Sequence, residues 1–413
     1  MPILAKSLTD EQFGLYLTLT TVFAMLATLD FGLGGALLSQ VSSAAVRDDR
    51  TAMQGTVSSA FFALAAASVG LMVVGTALIL TVPLARLLGV SGTDDQTVRV
   101  ASAIVVVATA VSLPIVGATK VLFGLHRGHI AAGFAVVASV AQLALLLLCA
   151  GTDAPFGWYV LAGTSAVVLS GLLTSAYQFR LWGGALRPRR SSVSKERGVD
   201  LMKEGGLLFV LALLGVLAFQ TDILIIAHFL GSATVPAYAL PFRIFGLVPL
   251  IAGLFLTPLW AAYRDGRERG RWHWIDRTFR ISSLGAFGAA LVTVAVLLPA
   301  TPGLLALWVG DEVPTPSMDL RMALSSYVIV MVLSATVSVL LNALGVLRMQ
   351  VVLGLMMTVG NLMLSVVLVQ TMGISGPVWA TVITQSAVVL IPSLYLARTS
   401  IRRHTQPGER AAV

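Results

Sequence analysis

Charge is scarce in this chain of 413 residues. Asp, Glu, Lys and Arg make up 11% of it, against 57% hydrophobic residues and a mean hydropathy of +0.90. Soluble domains carry roughly 25% charged residues. The deficit falls in long blocks, which excludes an ordinary soluble enzyme or binding domain. A bilayer core needs about 20 apolar residues per helix, so the blocks predict an all-α polytopic membrane protein. A transmembrane barrel would show alternating segments of about 10 residues, and these runs do not alternate. Cysteine is nearly absent. Cys149 stands alone in an apolar run, which excludes a disulfide within the chain and any CxxC or zinc spacing. GxSxG, Walker, HExxH and strand-borne GxGxxG patterns are missing too, and the loops are too short for a catalytic or nucleotide-binding module. No enzyme activity, catalytic residue, cofactor or metal centre is expected. The net charge of +8 would suggest nucleic acid only on a shared soluble face. The basic residues lie in loops between apolar runs, so no nucleic-acid partner is expected.

What is present is eleven apolar runs, at roughly 13–39, 57–82, 99–124, 130–150, 157–181, 206–230, 236–263, 279–300, 322–345, 350–371 and 374–397. Short connections predict antiparallel neighbours in a bundle. Lys and Arg of short loops stay cytoplasmic. The connection 180–204 holds Arg180, Arg187, Arg189, Arg190, Lys195, Arg197 and Lys203. The connection 264–280 holds six arginines, from Arg264 to Arg280, and the tail holds Arg398, Arg402, Arg403 and Arg410. Arg47, Arg50, Arg127 and Arg348 fall on the same side by parity. The other side has only Lys6, Arg86, Arg99 and Arg321, beside Asp94, Asp95, Asp153, Asp311, Glu312 and Asp319. The expected orientation is a multi-pass protein of the cell membrane with a cytoplasmic C-terminus.

The chain also repeats itself at a shift of 222 positions. Ile3-Leu4-Ala5-Lys6-Ser7-Leu8 echoes Ile225-Ile226-Ala227-His228-Phe229-Leu230; Tyr16 falls on Tyr238 and Arg47 on Arg269; Gly124-Leu125-His126-Arg127 lies opposite Gly345-Val346-Leu347-Arg348 with slight drift. The segment 3–8 therefore reads as the end of a span whose start the sequence lacks. Restoring it gives six spans per half, and an even number makes the halves parallel repeats about an axis along the membrane normal. The expected organisation is two six-helix lobes, the first helix of the N-terminal lobe missing: residues 1–182, a basic linker 183–204, a second lobe 205–398 and a cytoplasmic tail 399–413. Leu186-Arg187-Pro188-Arg189-Arg190 is too polar and broken to span, and reads as a mobile linker touching anionic lipid.

The chemistry left to such a chain is intramembrane polarity. A charge near the bilayer centre costs about 2.5–3.5 kcal/mol on insertion scales, so it faces a cavity or a partner. Asp222 lies eight residues before Leu230 and Arg243 seven after Pro236. At about 1.5 Å per residue both sit roughly 10–12 Å below the outer end of consecutive antiparallel helices. They read either as a buried structural pair or as a cavity cation for a substrate phosphate with Asp222 competing for it. Arginine suits phosphate through its fork of donors. Gln220 is placed to share that cavity, or to bond across helices. Asp30, in Leu29-Asp30-Phe31-Gly32-Leu33-Gly34-Gly35, reads either as a cavity acid for gating or ion coupling or as a helix-packing acid. Lys120 reads either as snorkelling to the interface or as meeting phosphate from the cytoplasm. Pro241, Pro249 and Pro258 share one span, which is expected to bend and line a path.

Phe13-Gly14-Leu15-Tyr16 and Leu29-Asp30-Phe31-Gly32-Leu33-Gly34 resemble the opening of polysaccharide flippases of the O-antigen and teichoic-acid type. These belong to the superfamily of multidrug extruders and lipid II flippases. Asp222, Tyr238-Ala239-Leu240-Pro241-Phe242-Arg243 and Thr257-Pro258-Leu259-Trp260 with Tyr263 extend the resemblance over nearly the whole chain. It implies two lobes around a cavity working by alternating access. The implied cargo is a lipid-linked oligosaccharide of undecaprenyl-phosphate type, moved from the cytoplasmic to the outer leaflet for surface polysaccharide synthesis. The implied partners are that substrate, membrane lipids and a coupling ion of open identity. Arg243 and Asp30 match positions where the family pattern has an arginine and an aspartate. The alternative carried beside it is an ion-coupled multidrug exporter of the same fold.

Overall fold

The computed structural model describes residues 1–28, 30, 32–184, 186–310 and 314–405. The expected outer acids Asp311 and Glu312, and Arg410 with the rest of 406–413, lie outside them, as do Leu29 and Phe31. The elements are α1 (Pro2–Ser7), α2 (Asp10–Thr28), α3 (Leu33–Val46), α4 (Arg50–Thr81), α5 (Leu84–Leu87), α6 (Asp95–Gly124), α7 (Gly128–Gly151), α8 (Phe156–Arg180), α9 (Lys195–Leu230), α10 (Val235–Glu268), α11 (Trp272–Val309), α12 (Met318–Ala343), α13 (Leu347–Met372), α14 (Gly376–Thr384) and α15 (Ile391–Thr405). A π-helical turn, Gln385–Leu390, joins the last two. Among the described residues there is no strand. Nine segments among the described residues are long and apolar enough to cross a membrane. The last, Arg348–His404, contains both of the runs expected at 350–371 and 374–397, divided at Gly373 (φ +64°).

The chain forms two compact units. One is Met1–Val216 with Gly231–Ala233; the other is Leu217–Leu230 with the chain from Thr234 onward. Each has one central helix. In the first, α6 buries Val98, Ala101, Ser102, Val105, Ala108, Thr109 and Ser112, the spacing of three and four that puts residues on one helix face. In the second, α12 buries Leu320, Ala323, Leu324, Tyr327 and Val328 in the same rhythm. The shift of 222 carries α6 onto 317–346, where α12 lies, and α4 onto 272–303, within α11. Past α4 and the short α5 the chain turns at Gly89 (φ +64°), and α11 is closed by Gly310 (φ +90°). Large apolar side chains of α7 (Val136, Val140, Leu143, Leu147) and of α11 (Leu284, Val292, Val296) are exposed. Such faces are what lipid covers.

Three expectations change. The run 13–39 is not one helix. It stops at α2 and restarts at α3, because Asp30 Oδ1 accepts the Gly32 N–H at 3.0 Å, the Asp30 carbonyl accepts the Leu33 N–H at 3.0 Å, and Gly32 turns left-handed at φ +72°. An aspartate bonding the backbone two residues on is an Asx turn, and hydropathy does not register it. The run expected at 279–300 does not stop at its prolines: α11 runs on through Pro299 and Pro302 to Val309. The segment expected as a mobile linker is docked. Leu186 and Leu201 are buried in a core with Leu37, Val41, Met53 and Val57. The Gln178 amide donates to the Leu186 carbonyl (3.2 Å), and the Arg189 N–H donates to Ser58 Oγ (3.0 Å).

The restart at Gly32 also fixes a close helix contact. A Cβ there would meet the Gly205 backbone carbonyl of α9, and one on Gly205 would meet the Gly32 carbonyl oxygen at 2.7 Å. Gly32→Ala is expected to cost at least about 1–2 kcal/mol for the left-handed backbone alone, with the clash added. Gly70→Ala, on α4 with open space around it, should be neutral or stabilising. Melting midpoints of the two variants in detergent check this, and equal midpoints would refute the contact.

Candidate functional site

Two groups of the intramembrane residues have a definite setting, one in each unit. In the first unit, Asp30 and Lys120 are half-buried and flank Gly34. A Cβ on Gly34 would run into Asp30 Oδ2 and lie 3.0 Å from Lys120 Cε. The missing side chain at Gly34 is what lets α6 bring its lysine alongside the acid at the α2–α3 break. The two do not form an ion pair. One oxygen of Asp30 holds the turn, and the other lies against Gly34.

In the second unit the centre is Asp222 on α9. It is 4% exposed. Its Oδ2 accepts a hydrogen bond from the Tyr238 hydroxyl of α10 at 2.9 Å, and its Oδ1 is buried with no donor. Tyr238 stacks on Phe242 one turn further along α10 (centroids 5.4 Å, 19° between planes), and Phe242 meets Tyr327 of α12 at 5.4 Å. The carboxylate is thus walled by aromatic rings. One turn before Asp222, the Ala218 carbonyl accepts from the Asn361 amide of α13 at 3.2 Å. The Asn361 amide oxygen takes the Thr381 N–H (3.1 Å) and hydroxyl (2.8 Å) of α14. These bonds tie α9, α13 and α14 together below the acid. Ser365, one turn beyond Asn361, also buries a hydroxyl without a partner. A carboxylate with one unpartnered oxygen in an apolar, ring-walled setting is a place for a proton or a small cation, because an ion left alone there is costly.

Arg243 is not part of this group. Matched depth made an ion pair with Asp222 geometrically easy, yet Oδ2 is taken by Tyr238 and Oδ1 has no hydrogen-bond partner. Arg243 is exposed and heads an exposed stripe along α10 with Leu247, Leu250, Leu254 and Phe255. Gln220 is exposed while Asp222 is buried; two residues on a helix point about 200° apart. Tyr238, Tyr327 and the Asn361–Thr381 bond were not singled out as partners of the acid from sequence. The signal for Tyr238 was there: it is the repeat counterpart of Tyr16, which is also buried.

Comparison with solved structures places the fold. A multidrug resistance MATE family transporter of the MOP superfamily, in an inward-facing conformation, matches at TM-score 0.80 with 15% identity, over 98% of this chain and 94% of that one. The lipid II flippase MurJ, inward closed, matches at TM-score 0.70 with 9% identity, over 98% and 88%. The Vibrio cholerae MATE transporter VcmN in its bent form matches at 0.57 with 16% identity, over 96% and 89%. At these identities the likeness is one of fold. No curated protein matches the sequence. The family comparison is more specific: residues 1–260, more than half of the chain, match the family described as polysaccharide biosynthesis protein, and the chain belongs to that family.

Proposed function

We propose that the protein flips a lipid-linked oligosaccharide, of undecaprenyl-phosphate type, from the cytoplasmic to the outer leaflet of the cell membrane for surface polysaccharide synthesis. The observation that carries this reading is Arg243, an exposed arginine at the head of an exposed apolar stripe within a membrane-spanning helix. A guanidinium grips phosphate oxygens in pairs, and an apolar track suits the prenyl chain behind them. A guanidinium exposed within a span is suited to meet an anionic cargo. Membership of the polysaccharide biosynthesis family supports a glycan as that cargo.

In this reading Asp222 binds the coupling proton or cation at Oδ1, with Tyr238 holding the carboxylate in place. Asp30 and Lys120 form the matching polar point of the first unit, where Lys120 meets phosphate and Asp30 competes for it. The two units work by alternating access, and the basic loops and the C-terminus face the cytoplasm. Drug export has the same fold to stand on, but its cargo would call for cavity acids and aromatics rather than an arginine heading an apolar stripe.

Deleting the gene tests the reading. The expected result is loss of surface polysaccharide, with intact lipid-linked oligosaccharide held on the cytoplasmic leaflet. Unchanged surface glycan without intermediate, together with drug sensitivity, would move the assignment to an exporter.

A further inference from the structure

The second unit holds a cavity lined by none of the residues of the Asp222 group. It measures about 740 Å³ and lies between the start of α11 and the end of α15. His273, Asp276, Arg280 and Ser283 face it from α11, and Arg398 and Arg402 from α15, over apolar walls that include Leu284 and Leu394. Among the lining residues Asp276 is balanced by Arg280 at 2.7 Å, and Arg398 and Arg402 add two basic side chains. Trp272 stacks on His404 (3.9 Å between centroids, 16° between planes) and pins the two helix ends together.

The cavity is graded along its length. On α11 the charged residues end at Arg280, and an apolar stretch begins at Ile281. On α15 the order is reversed, with the apolar run ending at Ala397 and Arg398 following. The basic end therefore sits at the membrane–water boundary and the apolar end in the hydrocarbon. At the junction Ser283 buries a hydroxyl with no hydrogen-bond partner, a donor without an acceptor inside the protein. Leu284, on the wall, is 70% exposed.

We infer that this cavity is a binding site for an anionic phospholipid, with the headgroup phosphate between Arg398, Arg402 and His273, the ester region at Ser283 Oγ and an acyl chain along Leu284 and Leu394. A free phosphate would satisfy the arginines and leave the apolar walls uncovered. A zwitterionic lipid would cover the walls and bring no net charge. The lipid ties the start of α11 to the end of α15, so its binding raises the melting midpoint of the protein. The inference does not depend on the transported cargo.

The full-length protein in detergent is titrated with phosphatidylglycerol, with phosphatidylcholine and with inorganic phosphate, and its melting midpoint is followed. Phosphatidylglycerol alone should raise it. In Arg398→Gln/Arg402→Gln the lipid concentration for half effect should rise roughly thirtyfold, the effect of two basic residues at an anionic lipid surface. Leu284→Trp plugs the apolar end without touching a charge and should weaken the response likewise, which keeps the test decisive if the arginine variant fails to fold. Arg348→Gln, an exposed arginine elsewhere in the same unit, should respond like the wild type. A response that survives in both cavity variants, or an equal response to inorganic phosphate, would overturn the site.

Discussion

With asparagine in place of Asp222, transport is expected to fall by thirtyfold or more while the protein still folds. The size follows from removing one member of a buried charge pair, about 2–5 kcal/mol, if the acid holds the coupling ion. Folding is spared because asparagine keeps an oxygen for the Tyr238 hydroxyl, which now donates at 2.9 Å, and fills the same volume. Asp222→Ala is the contrast. It leaves the hydroxyl of Tyr238, 1% exposed, buried without an acceptor, at about 1–3 kcal/mol, so it should lose stability as well as transport. The measurements are glycan flux or surface polysaccharide beside melting midpoint. Full transport by Asp222→Asn would remove the acid from the mechanism. Equal melting of the two variants would remove Tyr238 as its partner.

The same pair shows how far the sequence reaches. Depth along a helix can be counted from a turn, and counting puts Asp222 and Arg243 level. Direction around the helix decides the contact. Arg243 is five residues past Tyr238, which places it about 140° round α10 at 3.6 residues per turn. If Tyr238 faces α9, Arg243 cannot. Counting both coordinates would have found the tyrosine, whose long side chain makes up the difference in depth. The apolar runs were legible for the plain reason that lipid-covered helices need them. The break at Asp30 was not, because one aspartate and one glycine barely lower the mean hydropathy of a long run, while the turn they make is local hydrogen bonding. The Asp30–Gly34–Lys120 arrangement was half legible. Each residue stood out alone, but only the fold brings α6 beside the α2–α3 break.

Arg243→Ala should lower substrate affinity or flux by roughly ten- to a hundredfold, since hydrogen bonds to charged groups are each worth about 1.5–3 kcal/mol. The side chain is exposed and lies outside the buried Asp222–Tyr238 group, so expression and melting should change little. Arg243→Lys separates charge from shape. A lysine keeps the charge and loses the paired donors, so a diphosphate held in bidentate fashion should lose most of the effect even with lysine. A phosphate attracted by charge alone should not notice the change. The two variants also divide the arginine from the acid. Raising the coupling-ion concentration should restore part of the flux of an Asp222 variant that binds the ion weakly, and should do nothing for Arg243→Ala. Ion rescue of Arg243→Ala, or wild-type flux without the arginine, would mean that the cargo's phosphates are held elsewhere, leaving Lys120 of the first unit as the next candidate to replace.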